Sequence, residues 1–200
     1  MVRAVVLALV FAATAALAQD VPREALRYKR DLLRESRAQW GMDAPVATFA
    51  AQIHQESGWR PDAKSKFAAG LTQFTPDTAS WISGVYKDQL GENAPFNPNW
   101  AIRALVIYDR HLWERVDGGT ECDRMAFTLS AYNGGLGWVY RDQKMAKTAG
   151  ANPRTYFGQV EKFNSGRGKE FFKENRGYPQ RILKTIQPRY DSWGTGIPCP

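Results

Sequence analysis

Residues 51–65 read AQIHQESGWRPDAKS, and an apolar stripe at helical spacing runs through the preceding residues into a carboxylate, Glu56. The stripe consists of residues three or four positions apart, namely Val46, Phe49, Ala50 and Ile53. This spacing predicts an amphipathic helix with one buried face. Glu56 falls on the flank of that face, so its carboxylate is expected at the edge of the core.

The neighbouring residues predict where this helix begins and ends. Asp43 is the expected N-cap, with Pro45 in the first turn, and Gly58 followed by Pro61 is expected to stop the helix. Glu56 then lies in the last turn, at the negative end of the helix dipole. That field and partial burial both disfavour a charged carboxylate, so the pKa of Glu56 should be raised, as suits a general acid near neutral pH. An ordinary surface glutamate is the alternative.

The beginning of the chain resembles an export signal. Arg3 supplies a positive charge, residues 4–17 are almost wholly apolar, and the sequence ALA at 16–18 fits a cleavage site. The run is shorter than the ~20 residues that span a bilayer. We therefore expect a signal peptide over residues 1–18, one domain over 19–200, a periplasmic or secreted location and no stable membrane anchor after cleavage. A buried N-terminal helix and a retained anchor are the alternatives.

Charge and cysteine content narrow the partners. The net charge of +7 favours an acidic partner such as cell-wall glycan, anionic lipid or nucleic acid. The positive charges are spread along the chain and no nucleic-acid-binding module is recognisable, so no nucleic-acid partner is expected. Cys122 and Cys199 can form a disulfide in an oxidising compartment, and two free thiols are nearly as well supported. His54 and His111 are the only histidines, and no metal site or cofactor is predicted.

Helical periodicity recurs along the chain and predicts one compact, mainly helical domain. Residues 61–76 lack this periodicity and are predicted to form a loop or a short β-ribbon. The further predicted helices run from Val21 to Leu32, from Asn97-Pro98 to before Gly118, from a cap at Asp123 to Asn133, from Asn152-Pro153 through Phe163, and from Tyr178 to Gln187.

Four segments carry a family resemblance, which covers about two thirds of the chain. They are ESGWRPDAKS from Glu56, AAGLTQFTPDTA from Ala68, AYNGG from Ala131 and ENRGYPQRI from Glu174. Each is weak alone, but in this order they resemble the lytic transglycosylases of the soluble type, in the lysozyme-like superfamily. The resemblance implies a mainly α (α+β lysozyme-like) fold, with the β-ribbon or loop directly after the catalytic helix.

The resemblance also implies a site. Glu56 would be the catalytic acid and then the base. The residues implied to bind substrate are Ser57, Gln73, Tyr132, Asn133 and Tyr178. Structural roles remain open for several of them: a helix cap for Asn133, a core position for Tyr178, and a bond to its own loop for Gln73. Candidates to stack on sugar faces are Trp59, Phe74, Trp81 and Tyr132.

The implied reaction needs only one carboxylate. Glu56 would protonate the bond between N-acetylmuramic acid and N-acetylglucosamine in peptidoglycan, and the muramyl C6 hydroxyl would close a 1,6-anhydro ring. A goose-type lysozyme, with Asp77 or Asp88 activating water, is the alternative, and an inactive wall-binding assembly module is another. Residues 66–69 read KFAA where the family usually has a Gly-Ala pair, so the neighbouring subsites should be narrower or differently hydrophobic. A secretion-system or phage-apparatus partner remains open.

Overall fold

The computed structural model describes residues 21–200, which form a mainly helical chain, as predicted. The predicted signal peptide over residues 1–18 lies outside the described residues. The α-helices are α1 Arg23–Leu26, α2 Lys29–Trp40, α3 Val46–Ser57, α4 Pro76–Val85, α5 Lys87–Leu90, α6 Pro98–Trp113, α7 Glu121–Gly134, α8 Leu136–Thr148 and α9 Lys169–Gln180. A 3₁₀ turn, Val160–Lys162, precedes α9; a π-helical segment, Arg181–Ile186, and a 3₁₀ segment, Gln187–Trp193, follow it. Between residues 21 and 200, no helix has the length and apolar character needed to cross a membrane.

Helix α3 lies at the centre of the core. Nine of its twelve residues are buried, so it is enclosed on nearly all sides rather than along one stripe. Helix α2 and the π-helical and 3₁₀ segments near the C-terminus pack around it. Helix α7 packs against α6, α8 and α9 beside this group. Only the last turn of α3 therefore reaches a surface.

The N-terminus of α3 is capped by the C-terminal tail, residues 194–200. The prediction of Asp43 as N-cap is wrong: Pro45 occupies that position, and its side chain accepts no hydrogen bond. Instead, the Ala47 N–H donates to the carbonyl of Thr195 at 3.0 Å. A tail residue thus satisfies a donor that a side-chain cap would otherwise satisfy.

The C-terminus of α3 turns the chain sharply into the core. Gly58 adopts the left-handed conformation at φ 60°, and its N–H donates to the carbonyl of His54, as the sequence predicts. Trp59 follows at φ 69°, is fully buried, and donates from Nε1 to the Tyr190 hydroxyl at 2.6 Å. This anchored turn holds Glu56 and Ser57, the last two residues of α3, in a fixed orientation.

The segment after α3 is a loop with two isolated antiparallel bridges, which agrees with the predicted loop or short ribbon. The bridges join Lys64 to Ala69 and Ala69 to Phe74. Gly70 lies at φ 77°, and a Cβ at this position would meet the Pro95 carbonyl oxygen at 1.8 Å. Only glycine allows this close approach.

Several predicted helix boundaries differ from those observed. The predicted helix from Val21 is broken into α1 and α2, and the last helix begins at Lys169 instead of Tyr178. Thr120 caps α7, because its hydroxyl accepts the Asp123 N–H at 3.1 Å, so the prediction of Asp123 as cap is wrong.

The predicted helix from Asn152 to Phe163 is also wrong, since this segment consists of turns and one 3₁₀ turn. A contact with α7 stabilises its conformation: the carboxylate of Asp123 accepts a hydrogen bond from the N–H of Tyr156 at 2.8 Å. The aromatic side chains that suggested a helical stripe pack individually instead, as Tyr156 does against Phe127. Helix α8 was not predicted.

Candidate active site

A cleft of about 590 Å³ opens where the last turn of α3 meets the following loop and helices α7 to α9. Glu56 and four of the five residues expected to bind substrate line this cleft, namely Gln73, Tyr132, Asn133 and Tyr178. They come from four separate parts of the chain. The fold therefore brings together residues that the sequence separates by more than a hundred positions.

Glu56 is a partly buried acid with one direct polar partner. The hydroxyl of Tyr178 donates a hydrogen bond to Oε1 of Glu56. Burial raises the pKa of Glu56 to about 8; the hydrogen bond from Tyr178 opposes this rise, and the negative charge of Glu174 adds to it. Glu56 is consequently protonated at neutral pH and can donate a proton within the cleft.

Tyr132 forms part of an aromatic wall beside Glu56. Its hydroxyl donates to the carbonyl of Thr72 at 2.7 Å, which ties α7 to the loop after α3. Its ring packs against Phe74 and Tyr108 at centroid distances of 5.5 and 5.4 Å. Burial raises the pKa of Tyr132 well above its ordinary value, so the phenol stays neutral.

Asn133 is positioned by residues of α9. Its Nδ2 donates to Oε1 of Glu174 at 3.3 Å, and its Oδ1 accepts from Nδ2 of Asn175 at 3.0 Å. Asn175 is buried and also bonds Ser130 on α7. Asn133 is not the C-cap of α7, which is Gly135. The amide therefore has a fixed orientation in the cleft wall.

Gln73 lies in the left-handed region at φ 49° and lines the cleft. Its Nε2 donates to the carbonyls of Gly70 at 2.8 Å and Ala63 at 3.2 Å. The side chain thus stabilises its own loop and also contributes to the cleft surface. Phe67, 60% exposed, lines the same cleft from the KFAA segment.

Two sequence-based expectations do not match the geometry. Ser57 is buried and does not line the cleft, because its hydroxyl donates to the carbonyl of Leu71 at 2.7 Å. It connects α3 to the following loop instead of facing substrate. Trp59 is wrong as a sugar-stacking residue, because it is fully buried against Tyr190 and Trp193.

The sequence patterns did not indicate two further acids near Glu56. Glu174 lines the cleft one helical turn before Tyr178. Its i, i+4 spacing from Tyr178 within the ENRGYPQRI segment could have identified it as a residue on the same helix face. Asp109 is fully buried on α6 and accepts a 3.4 Å hydrogen bond from Nε2 of Gln52; among residues 21–200, its Oδ2 has no hydrogen-bond partner. Burial raises the pKa of Asp109 well above its ordinary value, with a contribution from Glu56. No local sequence pattern indicated Asp109.

A buried ion cluster supports the cleft wall. Arg167 lines the cleft and pairs with Asp142, which also accepts from Nη2 of Arg176 at 2.6 Å. Burial alone would raise the pKa of Asp142, but hydrogen bonds from Ser165 and the two arginines hold that pKa below its usual range. Within residues 21–200, no cluster of His, Cys, Asp and Glu could hold a metal ion.

The helical fold and the acid at the end of a buried helix, facing a cleft, define a domain of the lysozyme-like class. A family model described as "Transglycosylase SLT domain" matches residues 33–154, and the chain belongs to this family. The match covers α3, the following loop and α7. It therefore includes Glu56, Gln73, Tyr132 and Asn133, while Tyr178 lies beyond it.

Relatives agree with this assignment. "Membrane-bound lytic murein transglycosylase F" of Vibrio cholerae is 32% identical over 132 residues, which are 64% of this chain and 23% of the relative. The protein of the same name from Shewanella loihica is 28% identical over 80% of this chain and 33% of its own length. The chain thus spans about a quarter to a third of these relatives.

The 70 kDa soluble lytic transglycosylase of Escherichia coli has a similar fold, with a TM-score of 0.62 at 22% identity over 84% of this chain and 25% of that one. A structure of a 70-kDa soluble lytic transglycosylase in complex with bulgecin A gives a TM-score of 0.63 at 22% identity, over 88% of this chain and 26% of that one. At this identity the likeness shows a shared fold.

Proposed function

We propose that this protein is a peptidoglycan lytic transglycosylase that cleaves the β-1,4 bond between N-acetylmuramic acid and N-acetylglucosamine without consuming water. The observation that carries the proposal is the pairing of Glu56 with Tyr178 in a cleft, with the pKa of Glu56 raised to about 8. Family membership and the names of the relatives support the same substrate class.

In the proposed reaction Glu56 acts first as an acid and then as a base. The neutral carboxyl protonates the glycosidic oxygen as the bond from that oxygen to C1 of the muramyl residue breaks. The resulting carboxylate then takes the proton of the muramyl C6 hydroxyl, whose oxygen bonds to C1 and closes the 1,6-anhydro ring. This second proton transfer restores neutral Glu56, and the substrate's N-acetyl group stabilises the positive charge at C1. Tyr178 would stabilise the carboxylate between the two steps.

Hydrolysis by a lysozyme-type route is the second candidate, and one observation favours it. Glu174 is an exposed carboxylate in the same cleft and contacts Asn133, so it could activate a water molecule. In this reaction Glu174, and not Asp77 or Asp88, would activate the water, because neither aspartate lines this cleft.

Digestion of purified sacculi, followed by mass analysis of the released muropeptides, tests the proposal. Cyclisation predicts 1,6-anhydro ends, whereas reducing ends would overturn it in favour of hydrolysis. Glu56→Gln should abolish turnover while retaining glycan binding.

Folding of this variant serves as the control. The folded state holds a proton on Glu56 up to about pH 8. The unfolded chain releases this proton near the ordinary pKa of a glutamate. Above that ordinary pKa, the wild type therefore loses stability, because its unfolded state can ionise and its folded state cannot. Glu56→Gln should therefore unfold at no lower temperature than the wild type at pH 7. An inactive wall-binding module would show no turnover in either protein.

We further propose a periplasmic or secreted location, in keeping with a peptidoglycan substrate and with the export signal expected at residues 1–18. Glycan strands would be the main partner, and the basic net charge of +7 suits their carboxylates. Fractionation of cells that express the full chain tests the location: recovery in the cytoplasm would contradict it.

A further inference from the structure

A second groove, of about 400 Å³, adjoins the cleft between α4 and α6. We call it the side groove. Its main lining residues are Asp77, Thr78 and Trp81 on α4, Tyr108 and His111 on α6, and Leu136 at the start of α8. Thr78 and Tyr108 also line the main cleft, so the two cavities share a wall.

A row of aromatic rings connects the reaction centre to the side groove. Tyr132, beside Glu56, packs on Tyr108 with 5.4 Å between ring centroids, and Tyr108 packs on Trp81 at 5.9 Å. The first ring belongs to the wall of the main cleft and the last to the side groove. A chain of sugar rings leaving the main cleft past Tyr108 would therefore meet aromatic surface at successive positions.

Trp81 is exposed and yet held in place. The residue is 44% exposed, so part of its large apolar surface is open to a ligand. Edge-to-face contacts with Tyr108 and with His111, at 5.9 and 5.1 Å, fix the indole ring, and Nδ1 of His111 is in turn bonded to the Tyr86 hydroxyl at 2.9 Å. A rigid exposed indole is a preformed platform, so stacking on it costs little conformational entropy.

The polar groups of the side groove suit a neutral, hydroxyl-rich ligand. Asp77 supplies a carboxylate that accepts hydrogen bonds, and Thr78 supplies a hydroxyl that can donate or accept. One aromatic platform flanked by a few hydrogen-bonding groups can accommodate a sugar ring, which has an apolar face and a polar rim.

We propose that the side groove is a distal glycan subsite, in which Trp81 stacks on a sugar of the same strand that occupies the main cleft. This inference rests on the proposed function, because it extends the strand bound in the main cleft to a groove that shares Thr78 and Tyr108 with that cleft. A strand long enough to reach Trp81 gains binding energy that a short fragment does not. The enzyme should consequently prefer long strands, held along the aromatic row.

The test compares KM and kcat for glycan strands of two lengths, both freed of peptide stems: a tetrasaccharide and strands of twenty or more sugars. The long-strand measurement is repeated with strands that retain their peptide stems. Trp81→Ala should raise KM for the long strands about tenfold, the loss expected from one stacked aromatic contact, and leave kcat and the tetrasaccharide KM unchanged. Trp81→Phe should restore most of the affinity. Val85→Ala, which alters an exposed residue of the same helix outside both cavities, should change neither constant.

Three outcomes would overturn the subsite. They are equal KM changes for both lengths, no change for either length, or an effect seen only with strands that still carry peptide stems. The last result would assign the side groove to the stem peptide. Failure of the wild type to cleave either substrate would instead contradict the proposed function. In that case binding of long strands to the Glu56→Gln variant, with and without Trp81→Ala, still tests the subsite.

Discussion

Glu56 has two polar neighbours on α9 that act on its pKa in opposite directions. The hydrogen bond from Tyr178 stabilises the carboxylate and lowers the pKa, whereas the charge of Glu174 raises it. Both neighbours lie on one face of α9, one helical turn apart. Burial makes the largest contribution to the raised pKa, and the position of α9 against α3 adjusts the pH range in which Glu56 remains an acid.

This opposition predicts opposite shifts in the pH profile of kcat/KM. A general acid must be protonated, so activity should fall as the pH rises through about 8. Tyr178→Phe removes a bond to the carboxylate and should move this alkaline limb to higher pH, with a rate loss of about 10- to 100-fold because the carboxylate formed during the reaction loses its donor. Glu174→Gln should move the limb to lower pH.

Salt and a remote tyrosine provide the controls. Glu174 is exposed, so the shift in Glu174→Gln should shrink at high ionic strength, while the shift in Tyr178→Phe should persist. Tyr140→Phe, which removes a hydroxyl that donates to the Arg115 carbonyl outside the cleft, should leave the profile unchanged. Shifts in the same direction for both α9 variants would contradict the assignment of Glu56 as the titrating acid.

At the scale of elements, the loop after α3 depends on a close backbone approach at Gly70. Gly70 and Gly91 both have a positive φ, 77° and 64°, but of these two only Gly70 has a backbone atom in the space a Cβ would occupy, the Pro95 carbonyl oxygen. Gly91, at ψ −145°, lies close to a region that is essentially restricted to glycine, so Gly91→Ala should cost about 1 to 3 kcal/mol of unfolding free energy from conformational strain alone. Gly70→Ala should cost about 2 to 4 kcal/mol, since the loop must also move.

Chemical denaturation of the two variants measures this difference. The displaced loop carries Gln73, whose Nε2 bonds the Gly70 carbonyl, so Gly70→Ala should also lower kcat/KM, whereas Gly91→Ala should leave it unchanged. Equal free-energy losses in the two variants would show that the Pro95 contact is unimportant.

Elements governed by local signals were predictable from the sequence. Gly58 ends α3 and Asn97 caps α6 because each acts on backbone groups within a few residues. Helix α8 was not predictable in the same way: its buried face includes Asp142, whereas Tyr140 and Met145 are exposed, so no apolar stripe marks it. The charge of Asp142 is balanced by arginines that lie on distant segments.

In the candidate site, too, local signals were predictable from the sequence and long-range contacts were not. The helix pattern predicted where Glu56 lies, since that position depends on one helix, whereas the role of Glu56 was implied only by the resemblance. Its partners in space could be assigned only through the resemblance, because Tyr178 is 122 positions away and reaches Glu56 only after α9 packs against α7. Ser57 was expected to contact substrate but does not line the cleft, and nothing local indicates that the Leu71 carbonyl accepts its hydroxyl.

At the scale of the whole molecule, the C-terminal tail fastens the beginning of α3. Three buried residues form a closed ring of hydrogen bonds: Thr48 donates to Gln187 at 2.6 Å, Gln187 donates to the Ile197 carbonyl at 2.9 Å, and the Ile197 N–H donates to Thr48 at 3.0 Å. A disulfide joins Cys199 to Cys122 at the start of α7, 77 positions earlier. The tail thus links α3, the 3₁₀ segment and α7.

This arrangement predicts that the disulfide supports stability much more than chemistry. Closing a loop of this length restricts the unfolded chain, so the double variant Cys122→Ser, Cys199→Ser should lose about 2 to 4 kcal/mol of unfolding free energy. The tail contacts the first turn of α3, whereas Glu56 lies in the last turn, next to the buried Trp59, which bonds Tyr190 of the 3₁₀ segment and not the tail itself. We therefore expect kcat at 20 °C to remain within about twofold of the wild type, with thermal inactivation at a lower temperature. A reducing agent should reproduce both effects in the wild type and have none in the double variant. A large loss of kcat at 20 °C would show instead that the tail positions Glu56 through the length of α3.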